Sequence, residues 1–210
     1  MNSMERLVKA LKEKKLTISS CESLTGGMFA SDIVSISGAS SVFKGAFVTY
    51  MDECKQILVD GKKILKEYIS SMSKDTFVIV DPAMGDNGEL YKIFDNNYAK
   101  KMTELCMQAS LVIPNVTEAC FMTNTPYLGK VQTKEQIEDL INKINNLGID
   151  NVVLTSVCLK EHTLGTATKT KGQEIVYQEN EEIQGYFHGT GDVFGSALVG
   201  AYVNGVSWEE

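Results

Sequence analysis

Short apolar strands alternate with amphipathic helices along most of this chain, and that alternation constrains its fold more than any other feature. The pattern predicts helix over 3–14, strand over 16–21, helix near 26–36, strand over 45–50, helix near 62–72 and strand "TFVIVD" over 76–81. It continues with helix near 95–109, strand over 111–113, helices over 116–123 and 133–147, strand "NVVLTS" over 151–156, strand pieces near 165–178 and a last helix over 191–204. Strands that hand over to helices in this way argue for an α/β fold, a mostly parallel sheet flanked by helices. Ligands of such sheets collect at the carboxyl ends of the strands. With 210 residues the chain can bury one substantial core.

Composition narrows the class. Hydrophobic residues make up 43% and charged residues 22%, the balance of a soluble globular protein. A net charge of −7 disfavours nucleic acid and anionic membrane as main partners. No apolar run is long enough to span a membrane. The opening "MNSMERLVKALKEKK" sets Met4, Leu7, Val8 and Leu11 on one helical face and lacks the apolar block of a signal peptide. The five cysteines (Cys21, Cys54, Cys106, Cys120 and Cys158) contain no C-x-x-C pair and are joined by only His162 and His188. Reduced thiols in a cytoplasm are therefore expected, rather than disulfides or a zinc site.

The unusual residues sit where strands end. Asp81 and Asp86 bracket "DPAMGD", in which Pro82 and Gly85 make a tight loop. Asn115 and Glu118 in "PNVTE" share the first turn of a helix, where a capping box is the plainer reading. "HGTGD" places Gly189, Gly191 and Asp192 at the mouth of an apolar helix; there Asp192 either serves the helix end or stands beside a bound anion. Taken together, carboxylates at neighbouring strand ends suit Mg²⁺ with waters and substrate phosphates around it. Bare N–H groups suit phosphate, and Asp192 can accept a proton from an attacking hydroxyl. That is a phosphoryl-transfer set without a Walker A motif; the glycine spacing G-x-G-x-x-x-G also misses the dinucleotide fingerprint by one residue.

In order and spacing, "VIVDPAMGDNGELY", "VIPNVTEAC", "VVLTS" and "FHGTGDVFGSALVGAYVNG" resemble the pyridoxal kinases of the ribokinase-like superfamily over roughly residues 62–210. The resemblance implies ATP-dependent phosphorylation of the 5′-hydroxymethyl of pyridoxal, pyridoxine or pyridoxamine, or of a related hydroxymethylpyrimidine. It implies Asp192 as catalytic base, Gly189, Thr190 and Gly191 as anion hole, and Asp86 with Glu118 holding magnesium directly or through water. Asp81 and Thr155 would lie beside the ATP phosphates and a monovalent cation, and Asn115 and Ser156 would contact nucleotide or metal water. Ala83 stands where the family usually has valine. Ile113 stands where some members place threonine near the cation, which weakens a potassium assignment. The partners implied are a B6 vitamer and ATP, in the cytoplasm, with a homodimer as the assembly to test.

The opening third reads differently. "LTISSCESLTGGMFASDIVSISGASSVFKGAFVTYMDECKQ" resembles the start of the CinA carboxyl-terminal family, the nicotinamide mononucleotide deamidases, over residues 5 to about 58 through "CESLTGG", "GASSVFKG" and "FVTY". That resemblance implies Ser23 as nucleophile with Tyr50 and Lys55 relaying its proton, and a helix start after Gly26 and Gly27 stabilising an oxyanion. The plainer reading leaves Ser23 as a cap, Tyr50 half-buried on a strand and Lys55 solvated. No opening strand or vitamer lid of a pyridoxal kinase is legible in residues 1–60, and the deamidase likeness stops roughly a hundred residues short of that family's extent. The expectation is thus a chain in two parts, a CinA-like fragment over 1–60 and a kinase-like ATP-binding part over 61–210. Vitamer kinase activity leads; amide hydrolysis through Ser23 and silent nucleotide binding are the alternatives.

Overall fold

The structure, a computed structural model, describes residues 2–22, 25–48, 69–71, 73, 75–185, 187 and 189–208. These form two compact units. One joins the described residues up to Val48 with residues 187–208, and the other takes the described residues between them.

The first unit opens with α1 (Ser3–Lys14). The Asn2 side chain accepts the Glu5 N–H at 2.8 Å, and the Glu5 carboxylate accepts the Asn2 N–H at 2.7 Å, closing a capping box. Lys15 ends the helix in the left-handed region at φ 56°. Strand β1 (Ile18–Glu22), helix α2 (Met28–Val34), a single 3-10 turn (Ala39–Ser41) and strand β2 (Phe43–Val48) follow, and β1 pairs with β2 in parallel.

The second unit runs through β3 (Ile79–Val80), a hairpin of β4 (Gly85–Asp86) and β5 (Glu89–Leu90), then α3 (Asn96–Cys106), β6 (Leu111–Val112) and α4 (Val116–Met122). Helix α5 (Lys134–Asn146) and strands β7 (Val152–Val157), β8 (Thr163–Lys169) and β9 (Val176–Glu181) complete it. The central sheet has the order β3-β6-β7-β8-β9. Strands β3, β6 and β7 are parallel, as the alternating pattern predicts, whereas β8 and β9 pair antiparallel. The links 158–162 and 170–175 are the reason: a parallel return needs a crossover of a dozen residues or more. On α5, Ile137, Leu140, Ile141 and Ile144 recur at helical spacing and are fully buried. They pack with Met102 and Cys106 of α3, Ala119 of α4, and Val112, Val152 and Leu154 of the sheet. Each large side chain buried in this way contributes about 1.5–3 kcal/mol.

The last helix, α6 (Thr190–Val203), belongs to the first unit. Its Val203 is buried with Val8 and Leu11 of α1, Ile33 of α2 and Val42, with Val199 packed against the same cluster. The two ends of the chain therefore share one small core. Among the described residues no disulfide forms, and Cys106, Cys120 and Cys158 are buried thiols while Cys21 is exposed. No helix among them is long and apolar enough to cross a membrane.

Candidate active site

Because β3, β6 and β7 are adjacent and parallel, their carboxyl ends point the same way, and that end of the sheet carries Asp81 just past β3, Asn115 beyond β6 and Thr155 in the second half of β7. Asn115 and Thr155 are directly bridged in parallel register. The Thr155 N–H donates to the Pro114 carbonyl at 2.9 Å. Ser156 is exposed and held at φ 58°, where the β7–β8 register shifts between Leu154 and Val157. A non-glycine residue in that region costs strain and recurs at functional sites.

The plainer reading of "PNVTE" is realised at the start of α4. The Asn115 side chain accepts the Glu118 N–H at 2.9 Å, and a Glu118 oxygen accepts the Asn115 N–H at 2.8 Å. The other Glu118 oxygen accepts the Met84 N–H at 2.9 Å, while the Asn115 amide donates to the Gly85 carbonyl at 2.9 Å. The capping box is thus also the anchor of the "DPAMGD" loop. Glu118 is 3% exposed. Burial foremost, then the charge of Asp81, pushes its carboxyl up to about 7, against the downward pull of the Asn115, Met84 and Gly85 N–H groups. Burial, with the charges of Glu118 and Asp81, likewise raises the Cys106 thiol above its ordinary value.

Asp86 ends β4 and leads into a two-residue turn, Asn87 at φ 51° and Gly88 at φ 83°. Two positive φ values suit a type I′ hairpin, and Asn-Gly is its preferred sequence. The Asp86 carboxylate accepts the Asn87 N–H at 2.9 Å and the Asn87 side-chain amide at 3.0 Å. The Gly88 N–H donates to the Thr117 hydroxyl at 2.9 Å. The alternation of strands and helices misses this hairpin, although "NG" signals it; it also misses Thr117 and Tyr127, which brace the turn from positions no local pattern connects.

Asp81, Asp86 and Glu118 offer oxygen donors only, which is the chemistry of a hard cation. Among the described residues no cluster of three or more His, Cys, Asp or Glu side chains is set to cage an ion. Magnesium fits such a site, since it usually keeps several waters and takes one or two carboxylates plus substrate phosphates. Both Glu118 oxygens already accept N–H groups, so of the two modes expected for it, holding the ion through water suits it better.

In the other unit, α6 starts at Gly189, at φ 77°, with no side chain capping it. Thr190, Gly191 and Asp192 form its exposed first turn. Asp192 lies three residues inside the helix, and its carboxylate makes no hydrogen bond among the described residues. It is therefore not the cap that the alternative reading would have it be, though its charge still suits the helix dipole. Surrounding protein displaces enough water to raise its carboxyl above the ordinary value.

Of the deamidase set, Ser23, Tyr50 and Lys55 all lie outside the described residues. Their neighbour Glu22 bears on the oxyanion expectation. Its buried carboxylate accepts the Phe29 and Ala30 N–H groups of α2 at 2.9 and 3.0 Å, and the Ser20 and Thr25 hydroxyls at 3.0 and 2.8 Å. The Phe29 and Ala30 N–H groups at this helix start are thus taken by the chain's own carboxylate.

Two known families match the chain, and their matches overlap over residues 50–78. Residues 1–78 match the CinA C-terminal domain, and residues 50–210 match the phosphomethylpyrimidine kinase family. A CinA-like protein of Petrotoga mobilis is 46% identical over 70 residues, 33% of this chain and 17% of its own length. A Caenorhabditis elegans protein provisionally named a pyridoxal kinase is 28% identical over 194 residues, 90% of this chain and 56% of its own length. This chain thus spans about a sixth of the first relative and little more than half of the second. Among solved structures, the ADP complex of Bacillus subtilis pyridoxal kinase superposes with a TM-score of 0.61 at 17% identity, covering 92% of this chain and 87% of that one. The likeness in fold bears out the α/β, ribokinase-like expectation, and both resemblances read from the motifs are found. With 50–210 matched, the chain belongs to the phosphomethylpyrimidine kinase family.

Proposed function

We propose that the chain is an ATP-dependent kinase that phosphorylates the 5′-hydroxymethyl of a B6 vitamer or of a related hydroxymethylpyrimidine. The observation that carries this reading is the single end of the sheet at which three parallel strands present Asp81, Asn115 and Thr155, with Asp86 and Glu118 in the loop and helix tied to it. The Bacillus subtilis structure, whose fold this chain shares, holds ADP. In this reading Asn115, Thr155 and Ser156 bind the nucleotide, with Asp81 beside its phosphates and a monovalent cation there. Asp86 holds magnesium directly and Glu118 through water. Magnesium at such a site neutralises charge on the transferring phosphoryl group. The N–H groups of Gly189, Thr190 and Gly191 draw in phosphoryl charge at the start of α6, and Asp192 takes the proton of the attacking hydroxyl. A raised carboxyl pKa makes the carboxylate a stronger base toward the hydroxyl proton. The two-part chain, CinA-like over 1–60 and kinase-like over 61–210, belongs to the same proposal, as does action among reduced thiols in a cytoplasm.

Calorimetry of ATP binding with and without magnesium tests the nucleotide site, and ATP turnover with pyridoxal or the hydroxymethylpyrimidine tests the chemistry. Magnesium-dependent binding and vitamer-stimulated turnover are expected. Folded protein that binds no ATP refutes the reading; binding without turnover leaves a silent nucleotide-binding protein.

A further inference from the structure

We propose that Thr117 and Tyr127 form a clamp that sets the position of Asp86 and so tunes magnesium binding at the nucleotide site. This rests on the MgATP reading above. Among the described residues Asp86 has no long-range hydrogen bond of its own: its two oxygens accept only from Asn87, the next residue. Its place is therefore set by the backbone on either side: by Gly85, whose carbonyl the Asn115 amide holds, and by whatever holds the turn 87–88. Two attachments hold that turn. The Thr117 hydroxyl, 3% exposed on the first turn of α4, accepts the Gly88 N–H across 29 positions of sequence. The Tyr127 ring lies against Gly88 so closely that a Cβ there would stand 2.6 Å from the ring carbon Cδ1.

The charge of Asp86 reaches the Tyr127 phenol and adds to burial in raising its pKa, which agrees with a carboxylate lying near the ring. Consecutive residues of α4 thus grip the same segment at two points, Glu118 at Met84 and Thr117 at Gly88, with Asp86 between them. Thr117 and Tyr127 touch no substrate in this proposal; they are positioning residues.

The test compares Thr117→Val, Thr117→Ser and Tyr127→Ala with the parent. Magnesium is titrated calorimetrically into protein with a fixed concentration of ADP, and hydrogen exchange is followed across residues 85–91. Thr117→Val is expected to weaken magnesium affinity by about two- to tenfold, the equilibrium factor of one neutral hydrogen bond, and Tyr127→Ala, which takes the ring away from Gly88, weakens it in the same direction. ADP affinity without magnesium should stay at the parental value, the 85–91 segment should exchange faster, and Thr117→Ser should restore both readouts. Parental magnesium affinity in Thr117→Val and Tyr127→Ala overturns the clamp and leaves the MgATP reading standing. So does equal weakening in Thr117→Ser, which marks a role in packing alone. A parent whose ADP binding ignores magnesium overturns both. Should Thr117→Val fail to fold, Tyr127→Ala, at a residue that is 41% exposed, decides alone.

Discussion

Replacing Glu118 by glutamine sets two sizeable effects against each other, and the structure says which wins. The carboxylate accepts two backbone N–H groups, from Met84 and Asn115. Glutamine can accept only one of them well and turns a donor toward the other, which costs about 1–3 kcal/mol. The opposing effect is the burial of a charge near Asp81, which raises the Glu118 carboxyl from 4.5 to about 7. A folded pKa above the unfolded one means that the fold favours the neutral acid. Stability from this group is then complete below about pH 4.5 and is lost as pH rises to about 7. At 1.36 kcal/mol per unit the loss comes to about 3 kcal/mol. That shift already includes the weaker N–H bonds of the neutral form, so the neutral isostere should gain on the parent at high pH.

Glu118→Gln should therefore match the parent near pH 5 and exceed it at pH 8, in magnesium-free urea unfolding followed by circular dichroism. With a denaturant slope of about 1–3 kcal/mol per molar, the midpoint should rise by roughly 1 M or more. Glu118→Ala supplies no acceptor for either N–H and also breaks the capping box, so it should lose about 2–5 kcal/mol near pH 5; the deficit shrinks by about 3 kcal/mol at pH 8, because the variant has no charge to bury. A difference between parent and Glu118→Gln that does not change with pH would refute the electrostatic argument. An Ala variant as stable as the parent near pH 5 would refute the anchoring role. A carboxylate kept at such cost supports the proposed part of Glu118 in holding a cation.

Asp192→Asn retains shape but not basicity, and should lower vitamer phosphorylation by about 10²–10⁴-fold with ATP affinity unchanged; parental turnover would remove Asp192 as the base. Gly88→Ala combines a left-handed φ with a clash against Tyr127, whereas Gly129→Ala has a similar φ of 84° but open space. Urea unfolding should show Gly88→Ala as the costlier by more than about 1 kcal/mol, and equal losses would show that the ring does not constrain the turn. Ser23→Ala should leave ATP binding at the parental level; ammonia release from nicotinamide mononucleotide that is present in the parent and lost in this variant would instead establish the deamidase site.

What the sequence determined by itself is what lies within a dozen residues. The stripe of Ile137, Leu140, Ile141 and Ile144 marks α5, and the pairs Asn2 with Glu5, Asn115 with Glu118 and Thr133 with Gln136 mark helix starts, because cap and partner stand three residues apart. Strand ends follow from the same periodicity, so the alternating pattern alone places Asp81, Asn115 and Thr155 at or near the carboxyl ends of strands. The tertiary structure decided the partners. Glu118 meets Met84 across 34 positions, Thr117 meets Gly88 across 29, and Val203 at the end of α6 is buried with Val8 at the start of the chain. Motif order assigns α6 to the kinase-like part, yet in space it shares the core of the amino-terminal segment. Periodicity records which face of an element is apolar; it carries no record of which distant face will cover it, and that choice is made by packing volume and by buried N–H groups that must each find an acceptor.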